Sequence, residues 1–286
     1  MLKVFIKFRL YMVSMLKYLY FNCIKLDLNK VYLSDSSNIV VSLTTYGERV
    51  FLVHLTIKSI LLQSRPPKKI YLWLSSKNFP DRKIPKSLSR LEKFGVSINF
   101  TEEDLKSYKK ILYTYEIEKN NTNTHIVTAD DDIYYPSDWL HEIESKIKES
   151  DKYVYCYRAQ AISFKSNREV HNYIDWRLYN SPEPSFKILP TGVSGVCYPL
   201  NALNGVENRD FMYLCPTADD IWLKFITLKN GYKSKLVLGY SVHFTPVILP
   251  FSLPKKGLER ENVINNKNTE AFNKCIQYFK FSKSDF

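Results

Sequence analysis

Glycine is scarce in this chain, with eight residues in 286. With no internal repeat and no low-complexity run, that composition excludes collagen-like, disordered and coiled-coil classes. Cysteine is limited to Cys23, Cys156, Cys197, Cys215 and Cys275, and no two are spaced as C-x-x-C. An odd number without paired spacing argues against a disulfide framework or a zinc knuckle, and for spare buried thiols in a reducing cytosol. Long apolar runs are also missing. The uncharged stretch near the N-terminus, "LYMVSML", has seven residues. That is too short to span a bilayer and short for a signal peptide, and no small-residue cleavage site follows. Acidic residues are the minority, 29 against 41 Lys and Arg, for a formal charge of +12. Such an excess suits nucleic acid, an anionic membrane surface or phosphate-bearing substrates. No Lys/Arg-rich nucleic-acid motif is present, so nucleic acid is not an expected partner.

At 45% hydrophobic residues the chain is long enough for one large domain with a core, plus extensions. Residues 1–33 carry six basic residues against Asp27 alone. On a helical wheel Lys3, Lys7, Ser14, Lys17 and Lys25 fall within a sector of about 80°, with Arg9 off that face and the remainder apolar and aromatic. Such a helix suits the membrane interface, with lysines toward anionic headgroups and the apolar face in the acyl boundary. The alternative is a helix packed on the protein's own core with its lysine stripe in water. The expected organisation is a membrane-associating segment over 1–35, a main domain over 36–246, and a C-terminal loop and helix over 247–286. The first segment is expected to be separable from the site.

The body alternates strand and helix. "NIVVSLTTYGERV" opens with an apolar strand and ends in a polar turn, "FLVHLTIKSILLQ" has helical spacing, and "IYLWLSS" is a second strand. This is the βαβ signature of a parallel sheet. A helix over "IPKSLSRLEKFG", a strand over "VSINF", a helix over "YKKILYTYEIEK" and a strand over "THIVTA" extend it. The expected class is therefore α/β, with a mostly parallel central sheet flanked by helices. In such sheets ligands bind at the carboxyl ends of the strands, where "TTYGER" and the triplet Asp130–Asp131–Asp132 fall. A helix from the acidic turn "TADD" to Gly231, a strand or two, a loop after Pro246 and a terminal helix over "TEAFNKCIQYFKF" complete the chain.

Three adjacent acids repel one another. On a strand end, alternation would set Asp130 and Asp132 on one face, where a cation between them would stabilise both charges. Oxygen ligands with open positions suit Mg²⁺ or Mn²⁺ completed by water and phosphates. The alternative is a solvated acidic turn before a helix that starts near Trp139, although Ser137 or Asp138 is available as its cap.

The ordered set "VVSLTTYGERV", "HIVTADDDIYYPSDWL", "TGVSGVCYP" and "PTADDIWLKFITLKNGYK" resembles the nucleotide-sugar-dependent glycosyltransferases of the GT-A fold. It is most similar to the family-2-like enzymes of bacterial polysaccharide synthesis, over residues 38–245. That resemblance implies a Rossmann-like single domain. It also implies donor contacts from Thr45, Tyr46, Arg49, Ser75, Lys110 and Asp131. Thr44 stands where the family has proline, and Ser75 where it has a base-binding Asp. Lys109 is a further candidate for the phosphates. Asp130, Asp132 and His243 would hold Mn²⁺ or Mg²⁺ on the diphosphate. Asp220, seconded by Asp219, would be the general base of an inverting transfer, with the helix dipole as the competing reason for two acids at a helix start. Gly192, Gly195 and Trp222 would meet the acceptor, a saccharide that is expected to be lipid-linked at the cytosolic membrane face. A metal-dependent phosphohydrolase or nucleotidyltransferase, and a non-catalytic saccharide-binding protein, are the competing readings.

Overall fold

The computed structural model describes residues 2–248 and 266–286. The chain opens with α1 (Leu2–Cys23). It then builds β1 (Ile39–Thr44), α2 (Val53–Leu61), β2 (Lys69–Ser75), α3 (Lys86–Ser89), β3 (Val96–Thr101), α4 (Lys109–Glu118) and β4 (His125–Thr128). There follow β5 (Ile133–Tyr134), α5 (Trp139–Glu149), β6 (Tyr153–Cys156), β7 (Ala159–Ala161), β8 (Phe164–Ser166), β9 (Glu169–Val170), β10 (Ile188–Pro190) and β11 (Val196–Pro199). The last elements are α6 (Phe211–Leu214), α7 (Asp219–Lys229), β12 (Lys233–Leu236), β13 (Thr245–Pro246) and α8 (Lys267–Phe279).

Seven strands form one sheet in the order β12-β6-β11-β4-β1-β2-β3. β1 is parallel to both β2 and β4, β2 to β3, and β6 to β12; β11 alone is reversed, between β4 and β6. The sheet is therefore mostly parallel and the class α/β, as the alternating pattern implies. Both faces are covered, which is why β1 and β4 read as solid apolar runs rather than alternating ones. Val40 and Ile126 point into a core shared with Ile111, Phe225 and Phe272 from α4, α7 and α8. Val41, Leu43 and Val127 point the other way, into a core with Ile57 and Ile60 of α2 and Leu140 and Ile143 of α5.

Some expectations change on folding. "IPKSLSRLEKFG" splits into the short α3 and a 3-10 turn over 90–94, because Pro85 sits at the N-cap and Gly95 stops the run at φ +88°. Asp138 occupies the N-cap of α5 but makes no side-chain cap bond. Of the five cysteines Cys23 is exposed and the other four are buried. The loop expected after Pro246 lies, over 249–265, outside the described residues. The β13–β5 ribbon was not expected; each strand has only two residues, too few to show a period.

Topology selects the place for a site. The chain leaves β1 to one side for β2 and β3, then crosses back to lay β4 on β1's other edge, so the order reverses between β1 and β4. A crevice opens at such a switch point, at the carboxyl ends of the two strands. The register Ser42↔Thr128 brings those ends level. Because β11 is antiparallel, its first residue, Val196, pairs with Thr128. The Thr191–Gly195 turn before it therefore arrives at the same end. Gly195 has φ +97°, and a Cβ there would stand 2.6 Å from the Trp139 ring. Glycine is needed for both reasons.

One buried amine in the core meets only aromatic rings, those of Phe186 and Phe286, each 6.0 Å away. Lys224 of α7 is 1% exposed, and among the described residues its amine has no hydrogen-bond partner. Burial pulls its pKa down to about 7, against a small upward push from Cys156. Between about pH 7 and the ordinary lysine value the unfolded chain holds a proton that the folded chain has lost. Stability should therefore rise with pH across that window. Lys224→Met should flatten that rise and stabilise the protein at pH 7 by about 1–3 kcal/mol. Urea melts of both proteins at several pH values between 6 and roughly 10 check this; parallel stability curves would refute it.

Candidate functional site at the sheet's switch point

The three aspartates lie in a turn between β4 and β5, not on a strand. Strand alternation therefore does not govern them, and hydrogen bonding divides them instead. Asp131 turns inward and is 5% exposed. Thr45 Oγ1 donates to its Oδ2 at 2.5 Å, and Arg49 donates to its Oδ1 at 2.8 Å. Thr56 Oγ1 donates to its backbone carbonyl at 2.9 Å. Burial pushes the Asp131 carboxyl up, while Arg49 and Thr45 pull it down. The same Arg49 reaches Asp132 Oδ2 at 3.1 Å and lies over the Tyr46 ring. Burial would lower the Arg49 pKa, but the two aspartates hold it above its ordinary value. Asp132 is pushed up to about 6 by burial and by the Asp131 charge.

A second cluster faces this one. Lys110, on the first turn of α4, is held from below by Ser42 of β1, whose hydroxyl donates to the Lys110 carbonyl at 2.5 Å. Its buried ammonium lies 3.0 Å from Asp130 Oδ1 and 3.5 Å from Asp219 Oδ2. Burial works against the ammonium, yet Asp130, Asp219 and Asp220 together raise it well above its ordinary value. Asp220 is on the first turn of α7, where Ala218, not an aspartate, is the N-cap. Its Oδ2 accepts from the Gly192 backbone N–H at 3.0 Å, across to the turn before β11. Capping its own helix therefore does not account for its orientation. Burial, and then the Asp219 charge, push Asp220 up to about 7. A Cβ on Gly192 would stand 3.2 Å from Asp220 Oδ1, 3.4 Å from Lys110 Nζ and 3.7 Å from Asp130 Oδ1. Glycine thus leaves open the one point that these charged groups share.

Thr45, Arg49, Asp130, Asp131 and Asp132 thus meet on the β1–β4 side, and Lys110, Asp219, Asp220 and Gly192 on the β11 side. Tyr46 is half-exposed at the rim. The other expected site residues are placed elsewhere. Ser75 is fully buried and its hydroxyl accepts from the Lys77 N–H. Trp222 is fully buried beside Phe211 and Phe279, with no surface to offer an acceptor. Gly195 packs on Trp139. His243 is exposed and its Nδ1 lies 2.8 Å from the Phe244 carbonyl. Lys109 is buried against Asp104. Tyr135, whose hydroxyl accepts from the Asp130 N–H at 2.9 Å, was missed. It sits in the quoted "DDDIYYP", where an aromatic reads as core.

Among the described residues no three His, Cys, Asp or Glu side chains gather closely enough to form a metal centre. His243 does not join the aspartates in such a group. Asp130 and Asp132 remain partly exposed, and each has one carboxylate oxygen outside the ion pairs above. This donor set fits a hard cation that takes one or two carboxylates and completes its shell with water and phosphates. It does not fit a cation caged by protein alone.

No family model and no curated protein matches this sequence. Solved structures of S. aureus TarS 1-349 are similar to part of this chain. One crystal structure gives a TM-score of 0.41 at 12% identity, over 69% of this chain and 56% of that one. The complex with UDP gives 0.42 at 14%, and the complex with UDP-GlcNAc 0.41 at 13%. The chain spans little more than half the length of these structures. Likeness at this level carries no functional argument.

The two clusters respond differently to mutation. Asp131→Ala should cost about 2–4 kcal/mol, because Arg49 loses its buried partner. Asp132→Ala should cost less than about 1 kcal/mol, since that carboxylate is half-exposed. Equal losses in denaturant melts would show that Asp131 is not the structural member of the triplet.

Proposed function

We propose that this protein is a glycosyltransferase that moves a sugar from a nucleotide-sugar donor to a saccharide acceptor, with inversion at the anomeric carbon. The observation that carries this reading is the position of Asp220. A partly buried carboxylate, oriented by the Gly192 N–H, faces an open point bordered by Lys110 and Asp130, at the switch point of a mostly parallel sheet. In this reading Tyr46 lies beside the nucleoside, and Arg49 and Lys110 face the diphosphate. A divalent cation, Mn²⁺ or Mg²⁺, held by Asp130 and Asp132 would add Lewis-acid neutralisation of the leaving group. The acceptor hydroxyl oxygen bonds to the anomeric carbon, the bond from that carbon to the diphosphate oxygen breaks, and the hydroxyl proton passes to Asp220. Asp219 and Lys110 set the charge around the base.

The acceptor in this reading is lipid-linked, and the protein works at the inner face of a membrane. No helix of the described residues is long and apolar enough to cross one. The support is α1, whose large apolar side chains stand outward.

A base must be ionised to accept a proton. With Asp220 at about 7, turnover should rise with pH through neutrality and level off above it. Asp220→Asn should lower kcat by about 10² to 10⁴ and remove that rising limb, with donor affinity little changed. Incubation with a panel of nucleotide-sugars and Mn²⁺, with the product anomer read by NMR, checks the reading. Release of pyrophosphate, or no turnover of any donor, would refute it.

A further inference from the structure

α1 is attached the wrong way round for a helix that covers its own protein's core. Ser14, Lys17, Tyr18 and Phe21, spaced at three and four residues, face the domain, and Ser14 and Phe21 are buried. Phe5, Ile6, Phe8, Leu16, Leu19 and Tyr20 face outward, each more than half exposed. A contiguous apolar surface of this kind, on a helix that is already docked, calls for an apolar partner.

The inward face is occupied by specific bonds. Ser14 Oγ donates to the Pro246 carbonyl at 2.8 Å and accepts from the Ile248 N–H at 2.9 Å. Lys17 Nζ donates to Thr245 Oγ1 at 3.1 Å. Phe21 stacks on Tyr134, with centroids 5.3 Å apart and planes 9° from parallel. At the helix end Lys58 Nζ donates to the carbonyls of Phe21 and Ile24, groups that a helix terminus leaves unpaired. All but the last of these contacts grip one ribbon. In it β13 pairs with β5, and the Val247 N–H donates to the Asp132 carbonyl at 2.7 Å. Ser14 and Asp132 are thus linked through three residues of a single strap.

We propose that α1 is a two-sided adaptor: its apolar outer face enters an anionic lipid surface while its polar stripe fastens the strap that holds the acidic turn, so that lipid docking stiffens that turn. The occupant is lipid because the charge around the patch is predominantly positive, with Asp27 the one acid in residues 1–33. Lys7, Arg9, Lys25 and Lys30 are exposed around it, in a chain of net charge +12. The sequence suggests an anchor separable from the site; the contacts make it part of the site's support. That the acidic turn binds a donor rests on the proposed function, but the coupling of helix to turn does not.

Hydrogen exchange on the full chain tests the coupling without any substrate. Vesicles of phosphatidylcholine with phosphatidylglycerol should slow exchange in residues 5–23 and also in 130–134 and 245–248, leaving β2 and β3 unchanged. Phosphatidylcholine alone should do so more weakly. Ser14→Ala should speed exchange in 130–134 and 245–248 about threefold to tenfold without vesicles, the worth of one buried hydrogen bond, and should still bind vesicles. The double variant Phe8→Asp, Leu16→Asp should lose vesicle binding and keep wild-type exchange in the turn. Vesicle protection confined to 5–23, normal exchange in Ser14→Ala, or equal binding to both vesicle types would overturn the proposal. So would a vesicle-free dimer protected over 5–20, which would make a second copy the occupant. Nucleotide-sugar turnover, measured separately, distinguishes failure of the coupling from failure of the functional reading.

Discussion

The site depends on one buried ammonium. Lys110 lies among Asp130, Asp219 and Asp220, which come from a turn after β4 and from the start of α7. Without it, two elements each bearing negative charge would be pushed apart where they must meet. With it, three carboxylates share one positive charge, and the balance stays negative. Burial, and then the uncompensated Asp219 charge, is why Asp220 sits near neutrality rather than at an ordinary carboxylate value. Lys110 thus holds the site together and at the same time limits how far the Asp220 carboxyl rises. Arg49 does the equivalent work on the other side, tying Asp131 and Asp132 to the turn after β1.

Much of the fold is legible in the sequence, because β1, β2, β3 and β4 are apolar runs separated by helical periods. The reversal of β11 is not legible. Val196–Pro199 reads as a strand, but nothing in four residues states its direction, and direction is what delivers Gly192 to Asp220. The β13–β5 ribbon escapes for a similar reason.

The site was legible by composition more than by geometry. Three adjacent aspartates and a later acidic pair stand out in a basic chain. Their separate roles do not, since these depend on which one the Thr45 and Thr56 hydroxyls reach. That one, Asp131, is the structural member. Trp222 and Ser75 mark the opposite failure: residue types that suit ligands are also good core residues, and only burial distinguishes them. Lys109 and Lys110 are neighbours in sequence, yet one is committed to Asp104 and the other to the site. The roughly 100° step of a helix is enough to separate them.

The start of α7 has a further consequence. A helix N-terminus ordinarily offers its positive end to an anionic ligand, but here Asp219 and Asp220 occupy that position themselves. The positive end of the helix is therefore already met by these two side chains and has little left to give to a phosphate. Charge on a ligand in this crevice must be met by mobile or side-chain cations instead. Arg49, two-fifths exposed, is the group most open to screening by salt. Recognition of an anion here would consequently weaken with ionic strength, whereas the proton chemistry at Asp220, set by buried neighbours, would not.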